Sequence, residues 1–385
     1  MIKLCADIID ENDISALIDW LKHMPKLTKG QKTLDFEKEF ASTVGSKHAV
    51  FCNSGSSANL LATSALIQSG LMGNNKIVVP QVSWSTTVFP AMQLGLKPIM
   101  CDCDMSNLGI NTDNLLQIIE KEKPSALILV HVLGFDSNIK QIKQICEDND
   151  MLLIEDTCES LGSVVDEKML GSYGLASTFS FYFGHHISTI EGGMVCTDND
   201  HFAEVLKMIR SHGWDRDIDE EAKQKYKQKY KVDEFESLYK FYYQGFNLRS
   251  TDLQAFIGLN QIPKIKSIAK TRHDNFEKYL KLIKDDLWKP SLDQDLVSNM
   301  GYPLLVSNRE EVYFKLKSSN IESRPLVSGS MGTQPAWIDT YGESEMKNSS
   351  TVNNQGMYVP NHNSLCDKDI EQVCKIINKY GEPHV

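Results

Sequence analysis

Apolar positions along this chain follow two alternating periods. Short apolar runs at 49–52, 76–80, 97–101, 126–133 and 151–155 read as buried strands. Between them lie stretches with apolar residues every third or fourth position, which read as helices over about 11–23, 33–43, 54–69, 84–94, 112–121 and 137–149. Strands separated by helices of about ten residues predict an α/β fold with a mostly parallel sheet covered on both faces. Ligands of such sheets sit beyond the carboxyl ends of the strands. Farther on, helices are expected at 252–262, 264–282, 311–319 and 368–380, and strands at 301–306 and 323–327. The expected division is a large domain over 1–250 and a smaller C-terminal α/β domain over 251–385. The polar stretch 215–240 reads as a solvated excursion.

The organising stretch is 177–194, STFSFYFGHHISTIEGGM. Its aromatic run, Phe179 to Phe183, reads as a buried strand carrying side chains toward a pocket. A tight turn follows, for which the glycines supply backbone freedom, then a return strand over 194–197. Asn53-Ser54-Gly55-Ser56-Ser57-Ala58 lies between a strand and a helix, where backbone N–H groups and the helix dipole hold a phosphate. The plainer reading there is a capped helix, and the segment is not a G-x-G-x-x-G turn. Asp156 ends an apolar strand and either caps a helix or faces a ligand. Trp84 is either core or a stacking face, and Asn247, in Gly245-Phe246-Asn247-Leu248-Arg249, is a turn residue or a ligand contact. His212, in Arg210-Ser211-His212-Gly213, and Arg324, in Arg324-Pro325-Leu326, also serve surface or site roles.

The net charge of −11 disfavours nucleic acid and anionic membranes as partners. No apolar run is long enough for a bilayer, and the opening MIKLCADIIDEND turns acidic at once, so no leader is expected. Nine cysteines without framework spacing suit reduced thiols and a cytoplasmic setting. Cys101 with Cys103 and Cys366 with Cys374 do not make a ligand set, so no metal is expected.

The stretch Ser180 to Gly193 resembles the cofactor segment of the sugar-nucleotide aminotransferases, the DegT/StrS family of fold-type I pyridoxal-phosphate enzymes. Their pattern is Ser-Phe-x-x-x-Lys, then two residues, then Thr-x-x-Glu-Gly-Gly. The resemblance covers nearly the whole chain and implies a seven-stranded, mostly parallel sheet. It implies that Ser56, Ser57 and Ser180 contact the cofactor phosphate region, that Trp84 stacks on the pyridine ring and that Asp156 pairs with its nitrogen. It puts Glu159 where relatives often have glutamine and His212 near the sugar, and offers Arg324 to a diphosphate or carboxylate. Asn247 would reach the phosphate in a neighbouring subunit, making a homodimer with composite sites.

The departure from the family is His185, which stands where relatives carry the lysine that binds the cofactor covalently. An imidazole still moves protons near neutral pH. Register leaves His186 as the alternative base. Within the family a histidine here resembles a branch of sugar 3-dehydratases. The resemblance then implies non-covalently bound pyridoxal or pyridoxamine phosphate, L-glutamate as amino donor, and loss of the C3 hydroxyl from a nucleotide-linked 4-keto-6-deoxyhexose. GDP-4-keto-6-deoxymannose is favoured as substrate, in deoxysugar and O-antigen biosynthesis. The alternatives are a true aminotransferase and a non-catalytic sugar-nucleotide-binding relative.

Overall fold

The computed structural model describes residues 1–384. Seven strands form the main sheet: β1 (His48–Cys52), β2 (Lys76–Pro80), β3 (Lys97–Cys101), β4 (Ala126–Val130), β5 (Leu152–Asp156), β8 (Ala176–Ser180) and β9 (Gly193–Thr197). A two-residue hairpin, β6 (Val164–Val165) and β7 (Lys168–Met169), lies between β5 and β8. The sheet order is β1-β9-β8-β5-β4-β2-β3. Only β9 runs against its neighbours, pairing antiparallel with β1 and β8. Every residue of β4 and of β8 is buried, as expected for strands covered on both faces.

Strand pleating explains how β8 serves both core and cavity. Successive side chains point to opposite faces. Phe179 and Phe181 enter an aromatic cluster, with ring centroids 5.0 and 5.1 Å from Phe40 and Phe181 at 5.4 Å from Phe36. Thr178 and Ser180 lie on the opposite face, where the Thr178 hydroxyl donates to Asn59 at 2.6 Å.

A second sheet, β10 (Gly301–Leu305), β11 (Arg324–Pro325) and β12 (Gly356–Pro360), has the order β10-β12-β11. Helices Arg309–Ser318 and Asp367–Tyr380 pack on each other beside it. The N-terminal residue Ile2 pairs with Ile321, so the chain's start lies against this sheet.

Several expected boundaries move. β8 ends at Ser180, and Tyr182 and Phe183 beyond it are exposed. β4 stops at Val130, because Leu133 turns into left-handed backbone at φ 52°. The expected strand at 323–327 shrinks to Arg324–Pro325. The long helix begins at Ile265, after a 3₁₀ turn at Ile262–Lys264 that contains Pro263. The 215–240 excursion holds helix Glu220–Tyr230, and it exposes Phe235, Leu238 and Tyr239 besides its charges. Helices Asp200–Arg210, Pro335–Tyr341 and Lys347–Gln355 and strand β12 were not anticipated. Gly192 and Gly193 are needed for close approach and not for turning: neither has positive φ, and a Cβ on Gly193 would strike the Ser54 carbonyl.

Candidate active site

Strands β1, β2, β4, β5 and β8 end around one cavity of about 470 Å³. Ser56, Trp84, Asp156, Glu159, Ser180 and His185 all line it. The second sheet and the N-terminal segment close it with Met300, Val327, Tyr358 and Cys5.

At one end, helix Gly55–Gln68 begins. Ser54 caps it, its hydroxyl oxygen accepting from the Ser57 N–H at 3.0 Å. Ser57 is tied to Ser54 and does not face the cavity, whereas the Ser56 side is exposed to it. Gly55 sits so close to Ser180 that a Cβ would meet its side chain. A helix N-terminus with two flanking hydroxyls and close backbone is a cradle for a phosphate.

Asp156, the last residue of β5, also lines the cavity and is 3% exposed. Its Oδ2 accepts from the Thr87 hydroxyl at 2.8 Å and from the Asn59 amide at 2.8 Å, and its Oδ1 from the Cys158 N–H at 3.2 Å. Three donors hold the carboxylate in one orientation. Neither Asn59 nor Thr87 was anticipated, although a polar Asn59 inside an apolar helix was a legible signal, since buried polar groups find partners. Trp84 stands at the mouth, 54% exposed, with its ring free to cover a planar ligand.

The two adjacent histidines separate. His186 is 1% exposed, and its Nε2 lies 2.8 Å from the Ser298 carbonyl, away from the cavity. His185 lines the cavity, and its Nδ1 is buried without a partner. Burial holds the His185 imidazole down to about 4, with Arg272 adding to the effect and Asp156 opposing it. Glu159 is 6% exposed and accepts from the Leu133 N–H at 2.8 Å. Burial pushes its carboxyl up to about 7 against that hydrogen bond, with Asp156 pushing the same way.

Besides Ser57, three expected residues stand outside this chain's own cavity wall. Asn247 is exposed, accepts from Arg249 Nε at 3.1 Å, and pairs by its backbone with Ser211 beside His212. His212 packs edge-on against Trp214 with centroids 5.1 Å apart. Arg324 is exposed on β11, directly across from Tyr358 of the cavity wall. Cys101 and Cys103 enter different hydrophobic clusters.

The residues present fit pyridoxal or pyridoxamine phosphate: a phosphate cradle, a fixed carboxylate for a ring nitrogen, an indole face and an unpartnered imidazole nitrogen. No lysine lines the cavity among the described residues. Fold and site together define an enzyme of the fold-type I pyridoxal-phosphate class. The chain belongs to the DegT/DnrJ/EryC1/StrS aminotransferase family, whose model matches residues 7–378. It is 32% identical over 391 residues to the GDP-4-keto-6-deoxy-D-mannose 3-dehydratase of Yersinia pseudotuberculosis, covering 98% of each chain. Its structure superposes on a histidine-to-asparagine mutant of GDP-4-keto-6-deoxymannose-3-dehydratase with bound GDP-perosamine, at a TM-score of 0.90 and 30% identity, covering 98% of this chain and 100% of that one. A second structure of a dehydratase of that name, with a trapped PLP–glutamate geminal diamine, gives a TM-score of 0.87 at 29% identity, covering 98% and 100%.

Proposed function

We propose that this protein removes the C3 hydroxyl of a nucleotide-linked 4-keto-6-deoxyhexose, with GDP-4-keto-6-deoxymannose the first candidate, using pyridoxamine phosphate renewed from L-glutamate. One observation carries the reading: an imidazole, His185, occupies a cavity whose wall offers no lysine amine. When bound, the pyridoxamine form supplies an amine for the sugar's keto carbon and a ring that draws off electrons.

The chain's own residues then have separable roles. The Ser54–Ser57 turn and Ser180 hold the phosphate, and Trp84 covers the ring face. Asp156, fixed by Thr87 and Asn59, turns its carboxylate toward the ring nitrogen. His185 takes up a proton at its ring nitrogen and returns it to the departing hydroxyl, which a neutral imidazole is set to do. A lysine there would compete by binding the cofactor covalently and returning nitrogen to the sugar.

The functional unit is a homodimer in which Asn247, and His212 beside it, complete the partner's cavity. Supporting this, both lie together outside their own cavity wall, and Trp214, which packs on His212, stacks on exposed Phe241. Arg324, across from Tyr358, meets the substrate's phosphates. The test is incubation with glutamate, pyridoxal phosphate and GDP-4-keto-6-deoxymannose. Ammonia release with a 3-deoxy-4-keto product supports the reading. Nitrogen retained on the sugar overturns it in favour of amino transfer, the reaction in the family's name.

A further inference from the structure

Arg272, on helix Ile265–Leu282, is 2% exposed, yet no carboxylate pairs with it among the described residues. Its partners are all backbone carbonyls. Nη1 donates to Asn299 and Met300, both at 3.2 Å, and to Asn361, while Nη2 donates to His185 at 3.4 Å. Its Nε is buried without a partner. Burying a cation without an anion is costly, and an apolar side chain of similar volume is often the more stable solution at such sites. The guanidinium gathers the 299–300 and 361 segments onto the turn carrying His185.

We infer that Arg272 is the positioning residue for His185: it clamps the turn by its carbonyl and places an unneutralised positive charge behind the imidazole. This rests on the reading of His185 as the base. Burial pulls Arg272 itself down to about 10, a range in which it stays charged at neutral pH. Its charge lowers the affinity of His185, His186 and His362 for protons, in each case after burial. Glu191, Tyr182 and Tyr358 also line the cavity, beside the titratable groups that follow. Asp156, at the end of β5, is the opposing charge. Cys158, beyond β5, and Cys5, from the N-terminal segment, are kept as thiols by burial. Glu159, on the same loop as Cys158, is pushed up to about 7 by burial. Burial comes first in keeping His185 uncharged before each turnover, Arg272 is the cation that adds to it, and Asp156 is the counterweight. The same guanidinium ties the base to the second sheet, since Met300 and Asn361 flank β10 and β12.

The experiment compares Arg272→Gln, which removes the charge, with Arg272→Lys, which keeps it but cannot span the carbonyls. The imidazole titration of His185 is read by NMR in histidine-labelled protein without cofactor, the resonance being assigned by its loss in His185→Asn. Wild type should show no titration of His185 above about pH 5. In Arg272→Gln it should move up by about one unit, and in Arg272→Lys by much less. In steady state both variants should lose kcat about tenfold or more with KM little changed, part of the 10²–10⁴-fold a positioned base contributes. An unmoved titration in folded Arg272→Gln would overturn the charge role. If that variant does not fold, Arg272→Lys decides: kcat unchanged in the folded protein overturns the clamp. The titration needs no substrate, so its outcome is independent of whether the product assay supports dehydration.

Discussion

His185 and His186 are neighbours in the chain but face opposite ways: His185 lines the cavity, whereas Nε2 of His186 meets the Ser298 carbonyl at 2.8 Å. Two exchanges separate them. His185→Asn should lower kcat by about 10²–10⁴-fold with the melting temperature nearly unchanged. His186→Ala should leave kcat within a few-fold but cost about 1 kcal/mol in stability, measured by denaturant unfolding, for its lost hydrogen bond. The reverse pattern would make His186 the base.

His185→Lys restores the amine that the cavity wall lacks. Borohydride treatment of that variant with pyridoxal phosphate should fix the cofactor to the peptide carrying position 185, seen as a mass increase. Wild type should show none. Dehydration should fall together with the gain of covalent attachment. Labelling of wild type at some other lysine of the site would sink the idea that the cofactor is held without a covalent bond.

Thr87 and Asn59 fix Asp156, and their loss should act through the cofactor. Thr87→Val removes one donor from Oδ2 while keeping the side-chain shape. The expected result is weaker binding of pyridoxamine phosphate by about 1 kcal/mol, or roughly fivefold in Kd by fluorescence titration. An unchanged Kd would mean that Asn59 and the Cys158 N–H suffice to orient the carboxylate.

The strand ends were legible, because apolar runs bounded by Ser54, Trp84, Asp156 and Ser180 mark where a parallel sheet delivers side chains. His185 was legible as the odd residue in a lysine pattern, and only its partner's orientation needed coordinates. Tyr358, Cys5 and Met300 were not legible. They come from segments distant in sequence, brought to the cavity by the pairing of Ile2 with Ile321 and of β10 with β12. Arg272 was hidden for another reason: in its helix it reads as one more solvated cation beside Lys270, and only burial without a carboxylate sets it apart. The sequence offers Gly192 and Gly193 as backbone freedom for a tight turn, whereas it is their missing side chains that admit Ser54 and Phe51.

Glu159 and His185 make opposite contributions to stability as pH changes. Folded Glu159 holds its proton up to about 7, above the ordinary 4.5, so the stability it confers is present below 4.5 and lost as pH rises through 7. Folded His185 titrates near 4, below the ordinary 6.5, so stability falls as pH drops from 6.5 toward 4. Glu159→Gln removes only the first contribution. Relative to wild type, the variant without cofactor should gain stability between about pH 5 and pH 8, by on the order of 1–3 kcal/mol. Thermal melts across that range read the difference. A difference independent of pH would show that Glu159 is ionised in the folded protein.

The composite site makes a prediction that no single variant tests. Asn247 is exposed and stands outside its own cavity wall, with its backbone bridged to Ser211 beside His212. If it serves the cavity of a second copy, His185→Asn and Asn247→Ala are each inactive alone but complement when mixed. In a mixed dimer one cavity combines both defects, and the other takes an intact His185 from one chain and an intact Asn247 from the other. Random exchange of equal amounts makes half of the dimers mixed, so about a quarter of wild-type activity should return. Denaturing and refolding the two variants together provides the exchange, and size-exclusion chromatography checks that dimers have formed. Dimers that form without regaining activity would place Asn247 at its own chain's site, or at none.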